Sequence, residues 1–408
     1  MDISIQKSKL KNHQSVQITG SKSESNRLLL LKALYPQINI ENVSNSDDSV
    51  LMQKALVSKE SLIDIHHAGT AMRFLTAYFS IQDGREVTIT GSKRMKERPI
   101  KILVDALKTL GADIEYLEND GFPPLKIIGK KLITNKVTLE ANVSSQYISA
   151  LLLIASKLEN GLELTLAGNI TSVPYIKMTL SLLDSIGIET DFRGNIITVN
   201  PLSTSIKEKN LVVESDWSSA SYFYSSVALS DVGTEITIGS YKEESLQGDS
   251  VLASIYKSFG VTTVYKNQAI TLLKTDFIDS KSIIELDLKN APDIAQTIAV
   301  TAFGLGIECY MVGLHTLKIK ETDRLVALKI ELEKLGANVS ITDATLHLKS
   351  SDKIISDVEI ATYNDHRMAM AFAPLGLKTD IKIKNADVVS KSYPQFWEDF
   401  TAIGFSLK

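Results

Sequence analysis

LVDALKTLGADI, residues 103–114, is the stretch from which the fold can be read. Counting back from Gly111, positions −1, −4 and −8 are Leu110, Leu107 and Leu103, one apolar stripe at helical spacing. A glycine directly after such a stripe predicts a left-handed helix cap, because a residue without Cβ enters that conformation at little cost. The arrangement returns in LSLLDSIGIET (180–190), LASIYKSFGVTTV (252–264), LKIELEKLGANVSI (328–341) and FWEDFTAIGFSL (396–407), which reach Gly187, Gly260, Gly336 and Gly404. Positions −1 and −4 are apolar or aromatic in all five, and −8 in four. The glycines lie 76, 73, 76 and 68 residues apart, so one structural unit recurs along the chain.

A second series interleaves with the first. KSESNRLLLLKAL (22–34), AGTAMRFLTAYF (68–79), SSQYISALLLIAS (144–156), DWSSASYFYSSVAL (216–229), PDIAQTIAVTAF (292–303) and NDHRMAMAFAPLG (364–376) each open polar and turn apolar. They read as buried helices with polar N-terminal caps. Strand-like runs such as EVTITG, LELTLAG, TEITIG and IIELDL lie between them. Each unit is therefore strands plus one amphipathic and one buried helix, repeated six times. This predicts an α/β protein of two pseudo-threefold domains. If the buried helices of a domain point the same way, their N-termini converge on one surface that attracts anions, at roughly 0.3–1 kcal/mol per exposed helix end.

Composition narrows the chemistry. The 408 residues are 44% apolar and 23% charged, an ordinary globular balance. The net charge of −4 argues against a general nucleic-acid binder. A single cysteine, Cys309, removes intrachain disulfides and cysteine metal clusters, and the six histidines show no HExxH spacing. The first residues, MDISIQKSKLKNHQ, carry no apolar signal core, and no run approaches the ~18 apolar residues of a membrane span. The expectation is a cytoplasmic protein without metal, cofactor, nucleic-acid or membrane partner; a monomer would suffice, since one chain carries both halves of the site described below.

The helix openings and neighbouring loops concentrate polar residues. They are Lys22, Ser23, Arg27, Gly69, Thr70, Arg73, Arg98, Ser144, Ser145, Gln146, Ser172, Tyr175, Asp293, Lys320, Glu321, Arg324, the triplet Asp365-His366-Arg367, and Lys391. Eight are basic: Lys22, Arg27, Arg73, Arg98, Lys320, Arg324, Arg367 and Lys391. At equivalent repeat positions on an acidic chain they predict one positive cleft between two domains, suited to phosphate and carboxylate. GSKS (20–23) fails as a phosphate loop, because Ser21 separates Gly20 from Lys22 and residue 15 is serine. Asp293 is placed either to cap a helix or to act as a base. Glu321 is placed either for surface ion pairs or for proton transfer among cations. His366 is placed to open a helix or to relay a proton.

GSKSESNR (20–27), AGTAMR (68–73), RMKERPI (94–100), SSQ (144–146), SVPYI (172–176), SDWSSASYF (215–223), QGD (247–249), PDIA (292–295), KETDRL (320–325), YNDHRMAMAF (363–372) and SKSYP (390–394) occur in that order. Together they closely resemble the 5-enolpyruvylshikimate-3-phosphate synthases, over about residues 20–395. The resemblance implies an inverse α/β prism, each domain of three βαβαββ-type units, with the active site in the interdomain cleft. One domain would be 20–214 and the other 1–19 joined to 215–408. It implies transfer of the enolpyruvyl group of phosphoenolpyruvate to the 5-hydroxyl of shikimate 3-phosphate, through a tetrahedral intermediate, with release of phosphate.

By the same resemblance Ser23, Arg27, Ser144, Ser145, Gln146, Ser172, Tyr175, Asp293 and Lys320 hold shikimate 3-phosphate. Lys22, Gly69, Arg98, Gln146, Arg324, Arg367 and Lys391 hold phosphoenolpyruvate. Asp293 is the implied base and Glu321 the implied proton donor, with Lys22 and Lys391 assisting the leaving phosphate. Three positions depart from the family pattern. Thr316 stands where asparagine is common at the shikimate ligand, Phe74 where proline is frequent, and His67 where asparagine is common; the last two flank the phosphoenolpyruvate and glyphosate pocket. Two rival readings are a UDP-N-acetylglucosamine enolpyruvyl transferase, which commonly uses a loop cysteine, and a non-catalytic anion-binding relative. Cys309 lies in the strand-like IECYMVG, which disfavours the first. Retention of Lys22, Asp293 and Glu321 disfavours the second.

Overall fold

The computed structural model describes residues 1–140, 144–168, 170, 173–202, 206–276 and 283–408. The chain forms two compact units. One is continuous, Gly20–Val213; the other is discontinuous, Met1–Thr19 with Glu214–Lys408.

Among the described residues, five four-stranded sheets share one order: a parallel pair, then two antiparallel strands. In the continuous unit these are Leu62–Asp64, Glu86–Thr90, Leu125–Ile128 and Asp113–Tyr116, and Lys136–Glu140, Leu162–Ala167, Ile196–Val199 and Thr190–Arg193. The discontinuous unit has Gln14–Val16, Glu235–Gly239, Ala269–Lys274 and Val261–Lys266. Its second sheet is Ile283–Asp287, Glu308–Val312, Leu346–Leu348 and Val339–Ile341. Its third is Val358–Ile360, Ile381–Ile383, Ile3–Gln6 and Ser406–Leu407. Leu162–Ala167 shows why such runs form strands: Leu162, Leu164 and Leu166 are buried while the residues between them are half-exposed.

The five-membered glycine series matches these five sheets. Gly111, Gly187, Gly260, Gly336 and Gly404 all have positive φ. Each turns the chain from its amphipathic helix into the outer antiparallel strand. Lys101–Leu110 buries Leu103, Val104, Ala106, Leu107 and Leu110 on one face, and the Gly111 N–H closes the last turn on Leu107 and Lys108 carbonyls. The 252–264 stretch differs from the single helix expected. It is broken into Gly248–Val251, Leu252–Ile255 and Tyr256–Phe259, the outer two of 3-10 type. The sixth repeat is abbreviated to a parallel pair, Ile38–Glu41 with Lys209–Val212. Its amphipathic helix, Asp47–Val57, ends at Ser58 in extended backbone, so no glycine marks it and no hairpin follows.

The other helix series packs at the centre of each unit. In the continuous unit Lys22–Leu34, Gly69–Ser80 and Ser145–Ala155 each touch the other two. All twelve residues of Gly69–Ser80 are buried, as is all of Ser145–Ala155 except Gln146. Polar residues inside such helices are satisfied locally. Thr76 and Ser80 donate to the carbonyls of Met72 and Thr76, both at 2.7 Å. In the discontinuous unit Ala295–Leu305 packs against both Trp217–Ala228 and His366–Phe372. Among the described residues no helix is long and apolar enough to cross a membrane.

Candidate active-site residues

In the continuous unit the candidate residues gather at the first turns of the buried helices. Ser144 caps Ser145–Ala155, its hydroxyl accepting from the Gln146 N–H, and Gln146 Nε2 donates to Thr70 Oγ1 at 3.1 Å, tying the first turns of two helices together. Arg27, 2% exposed, donates to the Ser23 carbonyl (2.7 Å), Thr179 Oγ1 (2.8 Å), Ser149 Oγ (2.8 Å) and the Tyr175 carbonyl (3.5 Å). Its guanidinium also lies over the rings of Phe74 and Tyr175, 5.4 and 5.9 Å from their centroids. Phe74, the departure from the expected proline, thus supplies a face for a buried cation. Burial pulls Arg27 down to about 10, because its hydrogen bonds go to neutral acceptors.

Arg73 is held in the same manner. It donates to the carbonyls of Gly69 (3.0 Å) and Pro99 (3.1 Å), and Tyr147 Oη donates to that same Pro99 carbonyl at 2.6 Å. Burial first, and then the like charge of Arg98, bring Arg73 down to about 10. Arg98 is half-buried against Gly69; a Cβ at Gly69 would stand 2.5 Å from Arg98 Nη1. Lys22 and Ser23, half-buried, open Lys22–Leu34. Tyr175 lies in the first turn of Val173–Ser185, and Ser172 is outside the described residues.

The discontinuous unit holds a buried ion cluster. Arg324, 2% exposed, donates from Nε to Asp365 Oδ2 at 2.6 Å, from Nη1 to Asp293 Oδ1 at 2.8 Å, and from Nη2 to Glu321 Oε2 at 2.7 Å. Lys320 Nζ stands 3.4 Å from Asp293 Oδ1, and Arg367 Nη2 stands 3.3 Å from Asp293 Oδ2. Burial alone would raise the Asp293 carboxyl, but Arg367, Lys320 and Arg324 outweigh it and hold it far below the carboxylate range. Burial would likewise lower Arg324, yet Asp365, Glu321 and Asp293 hold it above its ordinary value.

Asp365 is fully buried and caps His366–Phe372, accepting from the Arg367 N–H at 2.9 Å. The chain enters this cap through two left-handed residues, Tyr363 (φ 53°) and Asn364 (φ 55°). Left-handed backbone at a tyrosine costs about 1–2 kcal/mol. Tyr363 Oη on Glu331 Oε1 (2.6 Å) and Lys391 Nζ on the Asn364 carbonyl (2.6 Å) fasten the turn. Lys391 thus contributes to the architecture of the turn. His366 is 2% exposed at the helix opening. Thr316 lies in the 3-10 segment His315–Ile319, its Oγ1 buried and without a hydrogen-bond partner among the described residues.

Three neighbours have no role in the sequence reading. Ser218 is the one residue of Trp217–Ala228 that is not buried, and its Oγ accepts from Arg367 Nη2 at 3.2 Å. The Ser218 hydroxyl donates to Asp249 Oδ2. Gln247 donates to the Ser215 carbonyl (2.9 Å) and to Glu214 (3.3 Å), anchoring the loop that carries Asp249. Their motifs, SDWSSASYF and QGD, are visible in the sequence, but their burial is not. Cys309 sits in Glu308–Val312, fully buried, and burial pushes its thiol up to about 12. It is neither on a loop nor a ready thiolate.

The family model described as EPSP synthase (3-phosphoshikimate 1-carboxyvinyltransferase) matches residues 52–400. A Bacteroides fragilis protein named 3-phosphoshikimate 1-carboxyvinyltransferase is 45% identical over 406 residues, covering 97% of this chain and 96% of its own. One of the same name from Histophilus somni is 34% identical, covering 95% and 96%. In fold, the chain is similar to an Acinetobacter baumannii EPSP synthase structure (TM-score 0.82, 20% identity, 100% and 99% covered). It is also similar to the enolpyruvyl transferase NikO from Streptomyces tendae (TM-score 0.74, 13% identity, 100% and 98% covered).

Proposed function

Because this chain belongs to the EPSP synthase family, we propose specific roles for its buried cations and carboxylates in that family's reaction. The enzyme transfers the enolpyruvyl group of phosphoenolpyruvate to the 5-hydroxyl of shikimate 3-phosphate and releases phosphate, in the shikimate pathway. Its fold is the inverse α/β prism.

The chemistry sets the requirements. The hydroxyl must lose a proton as it attacks C2 of phosphoenolpyruvate, and C3 must gain one, giving a tetrahedral phosphate ketal. That intermediate then loses a proton from the new methyl group and expels phosphate. Two substrates bearing phosphate and carboxylate need cations held in place before they arrive. Arg27 supports this in the continuous unit: four hydrogen bonds fix its direction while its charge meets no carboxylate among them. Together with Ser23, Ser144, Ser145, Gln146, Ser172 and Tyr175 it is assigned to shikimate 3-phosphate. Lys22, Gly69, Arg98, Gln146, Arg324, Arg367 and Lys391 are assigned to phosphoenolpyruvate, and Arg73 holds Gly69.

The observation that carries the roles is Asp293, contacted by Arg324, Lys320 and Arg367. As folded, these cations suppress its basicity. A substrate anion competes for the same guanidinium and ammonium groups, and each cation it takes makes Asp293 a stronger base. Binding of the anion thereby arms the base for the 5-hydroxyl. Glu321 shares Arg324 with Asp293, so the same competition frees its oxygen to carry the proton for C3. His366, adjacent to Arg367, and Thr316 complete the set as proton relay and shikimate contact. We assign the working form to a cytoplasmic monomer with domains 20–214 and 1–19 plus 215–408; one chain supplies every candidate residue.

Mixing the protein with shikimate 3-phosphate and phosphoenolpyruvate should release inorganic phosphate without added metal. No release, with active substrate controls, would overturn the reading. Release with UDP-N-acetylglucosamine as acceptor instead would favour the rival transferase.

A further inference from the structure

We propose that Asp249 is a positioning residue for phosphoenolpyruvate: through Ser218 it sets the direction of the Arg367 guanidinium, and it takes up a proton when the substrate anion engages Arg367. This rests on the reading of Arg367 as a phosphoenolpyruvate ligand.

The geometry is a chain of contacts. Asp249 Oδ2 accepts from the Ser218 hydroxyl, Ser218 Oγ accepts from Arg367 Nη2 at 3.2 Å, and the same Nη2 lies 3.3 Å from Asp293 Oδ2. Two carboxylates therefore compete for one guanidinium, one directly and one through a hydroxyl. Asp249 is 4% exposed, and its Oδ1 is buried with no hydrogen-bond partner among the described residues. A bare buried oxygen costs an ionised carboxylate far more than it costs a neutral carboxylic acid. Counting the cluster gives the same answer. Lys320, Arg324 and Arg367 are balanced by Asp293, Glu321 and Asp365. A charged Asp249 is a fourth anion against three cations, so it holds its charge only through Arg367 and the Ser218 hydroxyl.

The charged groups facing Asp249 are Asp293 from the 3-10 turn Pro292–Ile294, Arg367 from His366–Phe372, and Asp216 from the cap of Trp217–Ala228. Burial, then Asp293, push its carboxyl up to about 7, against the pull of Arg367 and the Ser218 hydrogen bond. Arg367 is the one cation in that set. When the phosphate or carboxylate of phosphoenolpyruvate neutralises it, the ionised form loses its support and a proton from solvent settles on an Asp249 oxygen. The carboxylate pull on Ser218 then slackens, and Arg367 turns its charge to the substrate.

Three variants test this in steady-state assays of phosphate release. Ser218→Ala and Asp249→Ala should each raise the KM for phosphoenolpyruvate about tenfold, the worth of one charge-assisted hydrogen bond, with the KM for shikimate 3-phosphate within about twofold. Asp249→Asn, which mimics the neutral acid, should keep a KM near wild type at pH 6. The ratio of wild-type to Asp249→Asn kcat/KM for phosphoenolpyruvate should fall severalfold from pH 6 to 8; the substrate's own ionisation cancels in that ratio. A flat ratio, or an unchanged KM in Ser218→Ala, would overturn the inference. Should Asp249→Ala not fold, the other two variants carry the test. Arg367→Lys separates the failures. If it leaves the phosphoenolpyruvate KM unchanged, the assignment of Arg367 falls and the inference with it. If it raises that KM while Ser218→Ala does not, only the inference falls.

Discussion

Replacing Asp365 by asparagine removes one charge from a fully buried position while keeping the side chain's shape. Asp365 accepts Arg324 Nε at 2.6 Å, Arg324 Nη2 at 3.4 Å and the Arg367 N–H at 2.9 Å. All three partners are donors, so the asparagine NH2 must face one of them, donor against donor. Breaking one side of a buried ion pair costs about 3–5 kcal/mol. Arg324 keeps Asp293 and Glu321, which places the expected loss near the lower end of that range. For a unit of about 200 residues each kcal/mol moves the melting temperature by about 2–4 °C. The transition of the discontinuous unit should therefore drop by about 6–12 °C, followed by calorimetry or by thermal melting of the Trp217 and Trp397 fluorescence. Loosening the helix cap also frees Arg367, so the phosphoenolpyruvate KM should rise. A melting shift under about 2 °C would refute the reasoning, since it would mean that Arg324 does not depend on Asp365 for its charge balance.

Two further outcomes follow from other contacts. Gly69→Ala sets a methyl 2.5 Å from Arg98 Nη1, and because that contact is the far end of a flexible side chain, the guanidinium moves rather than the helix. The KM for phosphoenolpyruvate should rise severalfold with little change in kcat or melting temperature, and an unchanged KM would remove Arg98 from the substrate. The second concerns pH. Asp249, raised to about 7 in the folded chain, keeps its proton there up to about that pH, while in the unfolded chain it is already ionised above about 4. Its contribution to stability is full below the unfolded value and is lost as pH rises through the folded one. Between pH 5 and 7 wild type should lose at most about 2–3 kcal/mol relative to Asp249→Asn in urea denaturation; parallel curves would show that Asp249 is ionised throughout.

The repeat was legible because its signal is local. An apolar stripe ending in glycine needs one turn of helix and one left-handed residue, both written within twelve positions, and five of the six units carry it. The sixth was not legible in those terms, because Asp47–Val57 ends at Ser58 and passes into extended chain without a glycine. The site divides along the same line. Residues lying in helix openings, such as Arg27, Gln146, Asp293 and Arg367, stand out by type and position. Their supports do not: Arg27 relies on Ser149 and Thr179, more than 100 residues away, and these look like ordinary helix serines and threonines. Asp365 read as one member of a polar triplet, and only burial reveals it as the counter-ion of Arg324. The same holds for Asp249 and Ser218, whose chemistry depends on the removal of water.

The sheet that joins both chain ends has a consequence for synthesis. Ile3–Gln6 lies between Ile381–Ile383 and Ser406–Leu407, with Ile3 opposite Ile383 and Ile5 opposite Leu407. The continuous unit has all of its strands once Val213 has left the ribosome, while the neighbours of Ile3–Gln6, Ile381–Ile383 and Ser406–Leu407, are still to be made. At about 5–20 residues per second the amino-terminal strand waits roughly 10–40 s for its neighbours. Until they are made it has neither sheet neighbour, and such an unpaired edge invites pairing with another chain. Lys7, Lys9 and Lys11, clustered just behind it, give the waiting segment a charge that discourages pairing with another nascent chain. Birth order and spatial order are thus opposed in this protein: a strand made early is among the last to be placed.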